Sequence, residues 1–397
     1  MGKRAVIVGA GIGGLTAAQA LRQRDWDVEI FEAAAAFSEI GAGIQLSPNA
    51  TRVLHNLGLL DPIRTLAFEP QAATIRDGVT GRTLLYVPLA PLCMRLYGTP
   101  YLHIHRPSLH AGLREGLEQQ IHLNSPVLGY AGHRLNIEGS AARTADLIIA
   151  ADGVKSTMNR QMNGPESPRF TGQVAWRGLV PVTPDLRKLF APHATVWAGQ
   201  GRHFVTYYLG PDLLNFVGVT EQNDWQEEGW NLPGDRNEFR DHFASFHTAI
   251  QALIEATQSV QRWALFDRKP LDRWASGPVA LLGDAAHPTL PFVAQGAALA
   301  MEDAWALAQY APDLQAYERA RQPRAARLQS LARANAKLYH SHRVIDRLKL
   351  RLSRGLLRGP QAHLLFWSIF NYGAWKAPAA DAQLGQSWYR KRKSALG

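Results

Sequence analysis

The sequence predicts an α/β fold, Rossmann-like, in which a nucleotide-binding domain is interrupted by an inserted antiparallel sheet and followed by C-terminal helices. Three observations predict it. Val6-Ile7-Val8 runs directly into Gly9-Ala10-Gly11-Ile12-Gly13-Gly14, a buried strand feeding a glycine turn and then a helix. Two later apolar runs also end in glycine and aspartate: Ala145 to Ala150 before Asp152-Gly153, and Val279 to Leu282 before Gly283-Asp284. Between them, residues 171–222 are a succession of short β-branched and aromatic segments, the pattern of antiparallel strands.

The elements follow in order. Residues 4–8 are the first strand, and Ile12, Leu15, Ala18 and Leu21 recur at helical spacing over 12–24. Residues 28–32 complete a βαβ unit of about 30 residues. Residues 73–76 and 83–87 flank Asp77-Gly78 as a hairpin. A helix follows Pro107 through Leu109, Leu113 and Leu117. Strands are expected at 174–182, 194–198, 203–209 and 213–220, then one amphipathic helix over 238–257. Residues 295–310 and 313–340 are helical, with Pro323 as an interruption. The nucleotide-binding domain is therefore expected at 1–68, 101–165 and 271–330, the inserted substrate domain at 69–100 and 166–270, and a helical basic C-terminal region at 331–397.

Composition narrows the class. An apolar content of 46% suits a folded globular chain, and 397 residues suffice for two domains sharing an interface. Cys93 is the single cysteine, which excludes an intrachain disulfide and suits a reducing, cytoplasmic setting. No secretory leader is read at Met1-Gly2-Lys3-Arg4, and no run approaches the roughly 18 apolar residues of a spanning helix. The net charge of +10 suggests nucleic acid until it is located: residues 343–397 hold 11 Lys and Arg against two Asp, leaving the body near neutral. No nucleic-acid partner and no metal are expected. The tail, with Leu348, Leu352 and Leu356 beside Arg347, Arg351 and Arg354, reads as a packed or solvated helix, with a membrane-surface contact as its alternative. The oligomeric state stays open.

The glycines carry the chemistry. Gly9 makes the tight turn, Gly11 lets a pyrophosphate approach the backbone, Gly13 continues the loop, and Gly14 brings helix and strand together. The helix N-terminus offers free N–H groups to phosphates. Glu32 ends the second strand, where a carboxylate accepts ribose hydroxyls and disfavours a 2′-phosphate; FAD and NAD both fit. Asp152 and Asp284 each end a strand at the same sheet edge. Two carboxylates there need hydroxyl partners, which the ribityl chain of a flavin supplies; helix capping is the competing reading of both. FAD is the cofactor this favours. Gly296 and Ala297 open a further helix whose N–H groups suit the flavin pyrimidine ring. Glu302, Asp303 and His287 are expected to be structural.

These segments together resemble the class A flavoprotein monooxygenases, the single-component FAD-dependent aromatic hydroxylases. The resemblance rests on Gly9 to Gly14 with Glu32, on Asp152-Gly153 with Ser156 and Arg160, on Gly283-Asp284, on Gly41 to Ala50, and on Arg106 in His105-Arg106-Pro107. It covers about residues 4–335. Within the family, Val174 to Pro181 and Gly201 to Tyr208 are most similar to the salicylate hydroxylase, 3-hydroxybenzoate 6-hydroxylase and 6-hydroxynicotinate 3-monooxygenase groups. It implies FAD contacts from Gly43 and Arg106, and a substrate pocket including Trp176, Pro291 and Phe292. Pro291 and Phe292 stand where the latter two groups carry a Gln and a His, so a polar hand on the substrate is lost. In a strand, alternate residues share a face, so His203, Val205 and Tyr207 point one way and Phe204, Thr206 and Tyr208 the other. His203 and Tyr207 match residues that act on the phenol in those relatives.

The reaction implied is hydroxylation of a phenolic aromatic acid, salicylate- or hydroxybenzoate-like, with NADH or NADPH as co-substrate and O2, through a C4a-hydroperoxyflavin. His203 is the expected base for the phenol and Tyr207 the orienting residue. The alternatives are the same chemistry on an alkyl-quinolone, a urate-like heterocycle or an alkene, a Rossmann NAD-dependent dehydrogenase without flavin, and a flavin-binding protein without oxygenase activity.

Overall fold

The computed structural model describes residues 2–37, 42–222, 232–341, 361 and 363–373. Leu348, Leu352 and Leu356 and most of the basic tail lie outside the described residues, as does Gly41.

Strands Arg4–Val8, Leu147–Ala150 and Val279–Leu281 are short, mostly apolar runs buried on both faces as a parallel sheet demands, and Asp27–Phe31 joins them with Val28, Ile30 and Phe31 buried. They form a six-stranded sheet with Ala275–Ser276 at one edge and Ile121–His122 at the other. Arg4–Val8 lies at its centre, pairing parallel with Asp27–Phe31 and with Leu147–Ala150. The helix Ile12–Arg22 buries Leu15, Ala18 and Leu21 toward the core around this sheet.

The second sheet has eight strands. In order they are Leu232–Pro233, Gln261–Asp267, Arg169–Pro181, Leu213–Glu221, Arg202–Gly210, His193–Gly199, Ala72–Asp77 and Thr83–Pro88. The hairpin 72–88 therefore joins the strands of 169–267 in one sheet. All its pairings are antiparallel except one: Ala72–Asp77 runs parallel to His193–Gly199. Two features went unread in the sequence. Gly43–Leu46 and Ala67–Phe68 flank Leu102–His105 in a small antiparallel sheet, and residues 127–144 contain a three-stranded meander.

Two helical expectations are corrected. The single helix over 238–257 is two, Arg236–His242 and Thr248–Ala256. The break comes where the His247 N–H donates to the Gly78 carbonyl (2.7 Å) and the His247 ring accepts the Ala249 N–H, capping the second helix. Pro323 does not interrupt: Leu314–Tyr339 is one helix of 26 residues. Buried ion pairs on either side of the proline hold it, from Arg321 to Glu302 and Asp303 and from Arg324 to Glu302. The boundary expected near residue 330 thus falls inside a continuous helix.

Candidate active site

The glycine turn closes as its sequence demands. Gly9 has φ +97°, and a Cβ there would lie 2.5 Å from the Ala151 carbonyl oxygen. At Gly14 a Cβ would meet the Gly9 carbonyl oxygen at 2.0 Å, so the helix approaches the strand as closely as backbone allows. Gly11 is different: nothing lies within 4 Å of its missing Cβ. Glu32 braces this loop, one oxygen accepting the Ala10 N–H (2.8 Å) and the other that of Ala34 (2.9 Å).

Asp152 and Asp284 leave neighbouring parallel strands, since Ala150 pairs with Leu281. Their roles differ. One Asp152 oxygen accepts the N–H groups of Thr157 (2.9 Å) and Met158 (3.3 Å), a capping role. The other is buried without a partner, and burial pushes this carboxyl above its ordinary range against the pull of Ser156 and the backbone donors. Asp284 opens onto a cavity of ≈ 470 Å³. The surrounding protein raises its carboxyl too, opposed by His287, Arg268 and Arg106.

That cavity lies between the parallel sheet and the eight-stranded sheet. Gly11, Gly13, Gly43, Arg106, Asp284, Gly296 and Ala297 line it from the nucleotide-binding side. Helix Gly296–Tyr310 points its N-terminus into it, with no acidic residue in the first turn to compete for the free N–H groups. A buried network fixes that helix: the Gln295 amide donates to Ser47 Oγ (2.8 Å), and Asn49 Nδ2 donates to Gln295 Oε1 (3.0 Å) and Glu302 Oε1 (2.6 Å). Ser47 and Asn49 belong to the 41–50 segment singled out in the sequence. Glu302, Asp303 and His287 are structural: Asp303 pairs with Arg321 and with His287.

From the other sheet come His203, Val205 and Tyr207 on one face, with Phe204 and Tyr208 packed into the helix-covered cluster behind. His203 is 2% exposed, and burial, then the neighbouring His340, hold its pKa well below the ordinary histidine value. Tyr207 donates its hydroxyl to the Gly43 carbonyl (2.7 Å), leaving the phenol oxygen able to accept. Gly43 permits this contact, because a Cβ there would lie 2.6 Å from the Tyr207 ring. Pro291 and Phe292 line the same cavity.

Trp176 does not. It is fully buried on the opposite face, stacked on Phe239 and donating to Thr220 Oγ1 (3.2 Å). Strand alternation instead turns its neighbour Arg177 into the cavity, held over the Trp263 ring at 4.9 Å. Parity along a strand was legible; which parity faces the ligand was not. His340, hydrogen-bonded to His203, carried no sequence signal at the end of its helix.

The arrangement fits a flavin dinucleotide. Open space before Gly11 and Gly296 and two uncompensated helix N-termini face one cavity with Asp284, and Asp152, with an orphaned buried carboxylate oxygen, ends the neighbouring strand. A family model described as FAD binding domain matches residues 3–330. The chain belongs to this FAD-binding family. It is 39% identical over 360 residues to 3-amino-4-hydroxybenzoate 2-monooxygenase of Streptomyces cremeus, covering 85% of this chain and 88% of the relative. It is 34% identical over 350 residues to 6-hydroxynicotinate 3-monooxygenase of Pseudomonas fluorescens, covering 84% and 91%. A salicylate hydroxylase solved as a substrate complex superposes with a TM-score of 0.78 at 26% identity, covering 95% of this chain and 99% of that one. The protein is an FAD-dependent aromatic monooxygenase with NAD(P)H as co-substrate, and the flavin-free dehydrogenase and inert-binder readings are set aside. Among the described residues no helix is long and apolar enough to cross a membrane, and no group of side chains could hold a metal ion.

Proposed function

We propose that this flavoprotein hydroxylates a small phenolic aromatic acid, with His203 taking the phenol proton. Bound FAD supplies the redox chemistry and delivers the oxygen; the chain holds, orients and shields the substrate. The observation that carries the reading is the shared face of His203 and Tyr207, which line the same cavity as Asp284 and the N-terminus of helix 296–310. A phenolate is a far better nucleophile than a phenol, and a neutral imidazole at the ring suits its formation. His203, kept uncharged by burial, presents such a ring. Tyr207, its hydroxyl proton donated to the Gly43 carbonyl, orients the substrate ring from the same face and leaves the phenol proton to His203. Arg177, fixed over Trp263, gives the substrate carboxylate a cation. Pro291, Phe292 and Val219 supply apolar walls that exclude water.

In this reading Gly9, Gly11, Gly13, Gly14, Glu32 and Arg106 hold the ADP half of FAD, and Asp152, Asp284, Gly43, Gly296 and Ala297 its ribityl and ring. The test is a screen of salicylate, 3-hydroxybenzoate, 3-amino-4-hydroxybenzoate and 6-hydroxynicotinate for stimulated NAD(P)H oxidation with product identification. Hydroxylated product from at least one supports the reading. Oxidation of a neutral substrate such as an alkyl-quinolone or an alkene, with none of the acids accepted, overturns it.

A further inference from the structure

His203 does not stand alone. Its Nδ1 lies 2.7 Å from Nε2 of His340, the residue that caps helix Leu314–Tyr339. Nδ1 of His340 lies 3.3 Å from Glu221 Oε1 and 3.2 Å from the Gln173 amide nitrogen. His340 is 3% exposed, whereas the Glu221 side chain is 44% exposed and borders a separate surface cleft. An unbroken line of hydrogen bonds thus leaves the cavity at His203, passes through a buried ring and ends at a carboxylate in solvent. Each link joins a different element: two adjacent strands and the end of a helix.

We propose that His340 is a positioning residue which, with Glu221, holds the His203 Nε2 lone pair toward the cavity and carries the phenol proton to the surface. The proposal rests on the phenolic-acid reading above. The steps balance. Glu221 accepts from His340 Nδ1–H, so His340 Nε2 has a lone pair and accepts from His203 Nδ1–H. The substrate O–H bond breaks as His203 Nε2–H forms. The Nδ1 proton of His203 moves to His340 Nε2, and that of His340 Nδ1 moves to the Glu221 carboxylate, which releases it to water. Both rings end neutral with tautomers exchanged, and the Gln173 N–H is placed to donate to the emptied His340 Nδ1.

The surroundings explain why a relay is needed. Phe292 and Tyr339 pack on the His203 ring at 5.5 Å and 5.3 Å between centroids, and burial keeps the Tyr339 phenol neutral, at about 12. A dry imidazolium there would be poorly stabilised, and His340 adds repulsion if charged. Proton transfer through neutral rings avoids that state. The charged groups around the outer end are Glu221 itself, with Asp77 and Arg202 bordering the same cleft.

The experiment uses the FAD-loaded enzyme and two variants, His340→Phe and Glu221→Gln. Nitrogen-15 histidine spectra report the His203 tautomer without substrate. The expected result is an Nδ1-protonated His203 in the parent and an Nε2-protonated one in His340→Phe. An Nε2 proton in the parent, or no change in the variant, overturns the proposal. With 3-amino-4-hydroxybenzoate or 3-hydroxybenzoate as probe, stopped-flow absorbance then follows phenolate formation. A fall of tenfold or more in His340→Phe, a smaller fall in Glu221→Gln and a Kd changed less than threefold are expected. Parent-like rates in both variants overturn it. If His203→Ala slows phenolate formation while both relay variants match the parent, the relay fails and the hydroxylation reading stands. If His203→Ala itself is parent-like, that assignment fails first. Glu221 is exposed, so Glu221→Gln remains informative even where His340→Phe folds poorly.

Discussion

Asn49 Nδ2 lies 2.6 Å from Glu302 Oε1, joining residues 253 positions apart in sequence. Glu302 is fully buried and shared with Arg321 and Arg324, so this amide helps to satisfy a desolvated charge cluster beneath the helix that points into the cavity. Asn49→Leu removes the donor from Glu302 and from Gln295 together. A loss of about 1–3 kcal/mol is expected, the cost of stranding a buried acceptor. Denaturant unfolding checks it, and weaker FAD retention should accompany it as the start of helix 296–310 loosens.

Gly11 and Gly14 separate binding from folding. A methyl at Gly11 meets open space, and the backbone φ of −72° suits any residue. Gly11→Ala is expected to leave apoprotein stability within about 0.5 kcal/mol while weakening FAD binding at least tenfold. Gly14→Ala drives a methyl to 2.0 Å from a carbonyl oxygen, so it is expected to lower the melting temperature or prevent folding. Comparable stabilities for the two variants would contradict the assignment.

Asp303 predicts an acid limit to stability. Its burial raises the carboxyl, but His287 and Arg321 outweigh that and bring it down to about 2. A carboxyl depressed in the folded state contributes stability above its unfolded pKa of about 3.9 and loses it as pH falls toward the folded value. The contribution is about 2–3 kcal/mol, lost between roughly pH 4 and pH 2. Unfolding free energies measured across that window should show a shallower slope in Asp303→Asn than in the parent.

His203 predicts a second acid-side inflection of the same sign, starting at higher pH. Its folded pKa is depressed, so the unfolded chain takes up the proton first and stability declines as pH falls below about 6.5. His203→Ala should remove that part of the decline, lower hydroxylation by about 10²–10⁴-fold and leave FAD bound. Retained turnover would take His203 out of the mechanism.

Trp176 and Arg177 give a paired test of the face assignment. Trp176→Ala should cost about 3–5 kcal/mol, as for a large buried aromatic. The milder Trp176→Phe should leave the KM for an aromatic acid near the parent value. Arg177→Met should raise that KM tenfold or more with little loss of stability. A KM effect at Trp176→Phe and none at Arg177→Met would reverse the assignment.

Much of the core was legible because its rules are local. Glycine spacing fixes the turn at 9–14, and apolar runs of four or five residues mark strands buried on both faces. The alternation that put His203 with Tyr207 followed from pleating alone. What escaped depends on contacts distant in sequence. Pro323 breaks helices in isolation, but Arg321 and Arg324 are anchored to Glu302 and Asp303 across it. Helix 238–257 splits because Gly78, far upstream, receives the His247 N–H. Trp176 is placed on the ligand side by the resemblance of the segment 174–181, which does not say which face of the strand meets the ligand, and the apolar layer under helices 236–256 takes it.

The parallel pairing of Ala72–Asp77 with His193–Gly199 spans 121 positions at Thr74 and Thr195. During synthesis the hairpin emerges long before its partner strand, and its open backbone edge must wait while the intervening residues 102–165 are made. Fragments ending near residue 190 are therefore expected to aggregate through that edge, and safe truncation points should lie after His193–Gly199 has been translated rather than at the apparent end of the first nucleotide-binding segment.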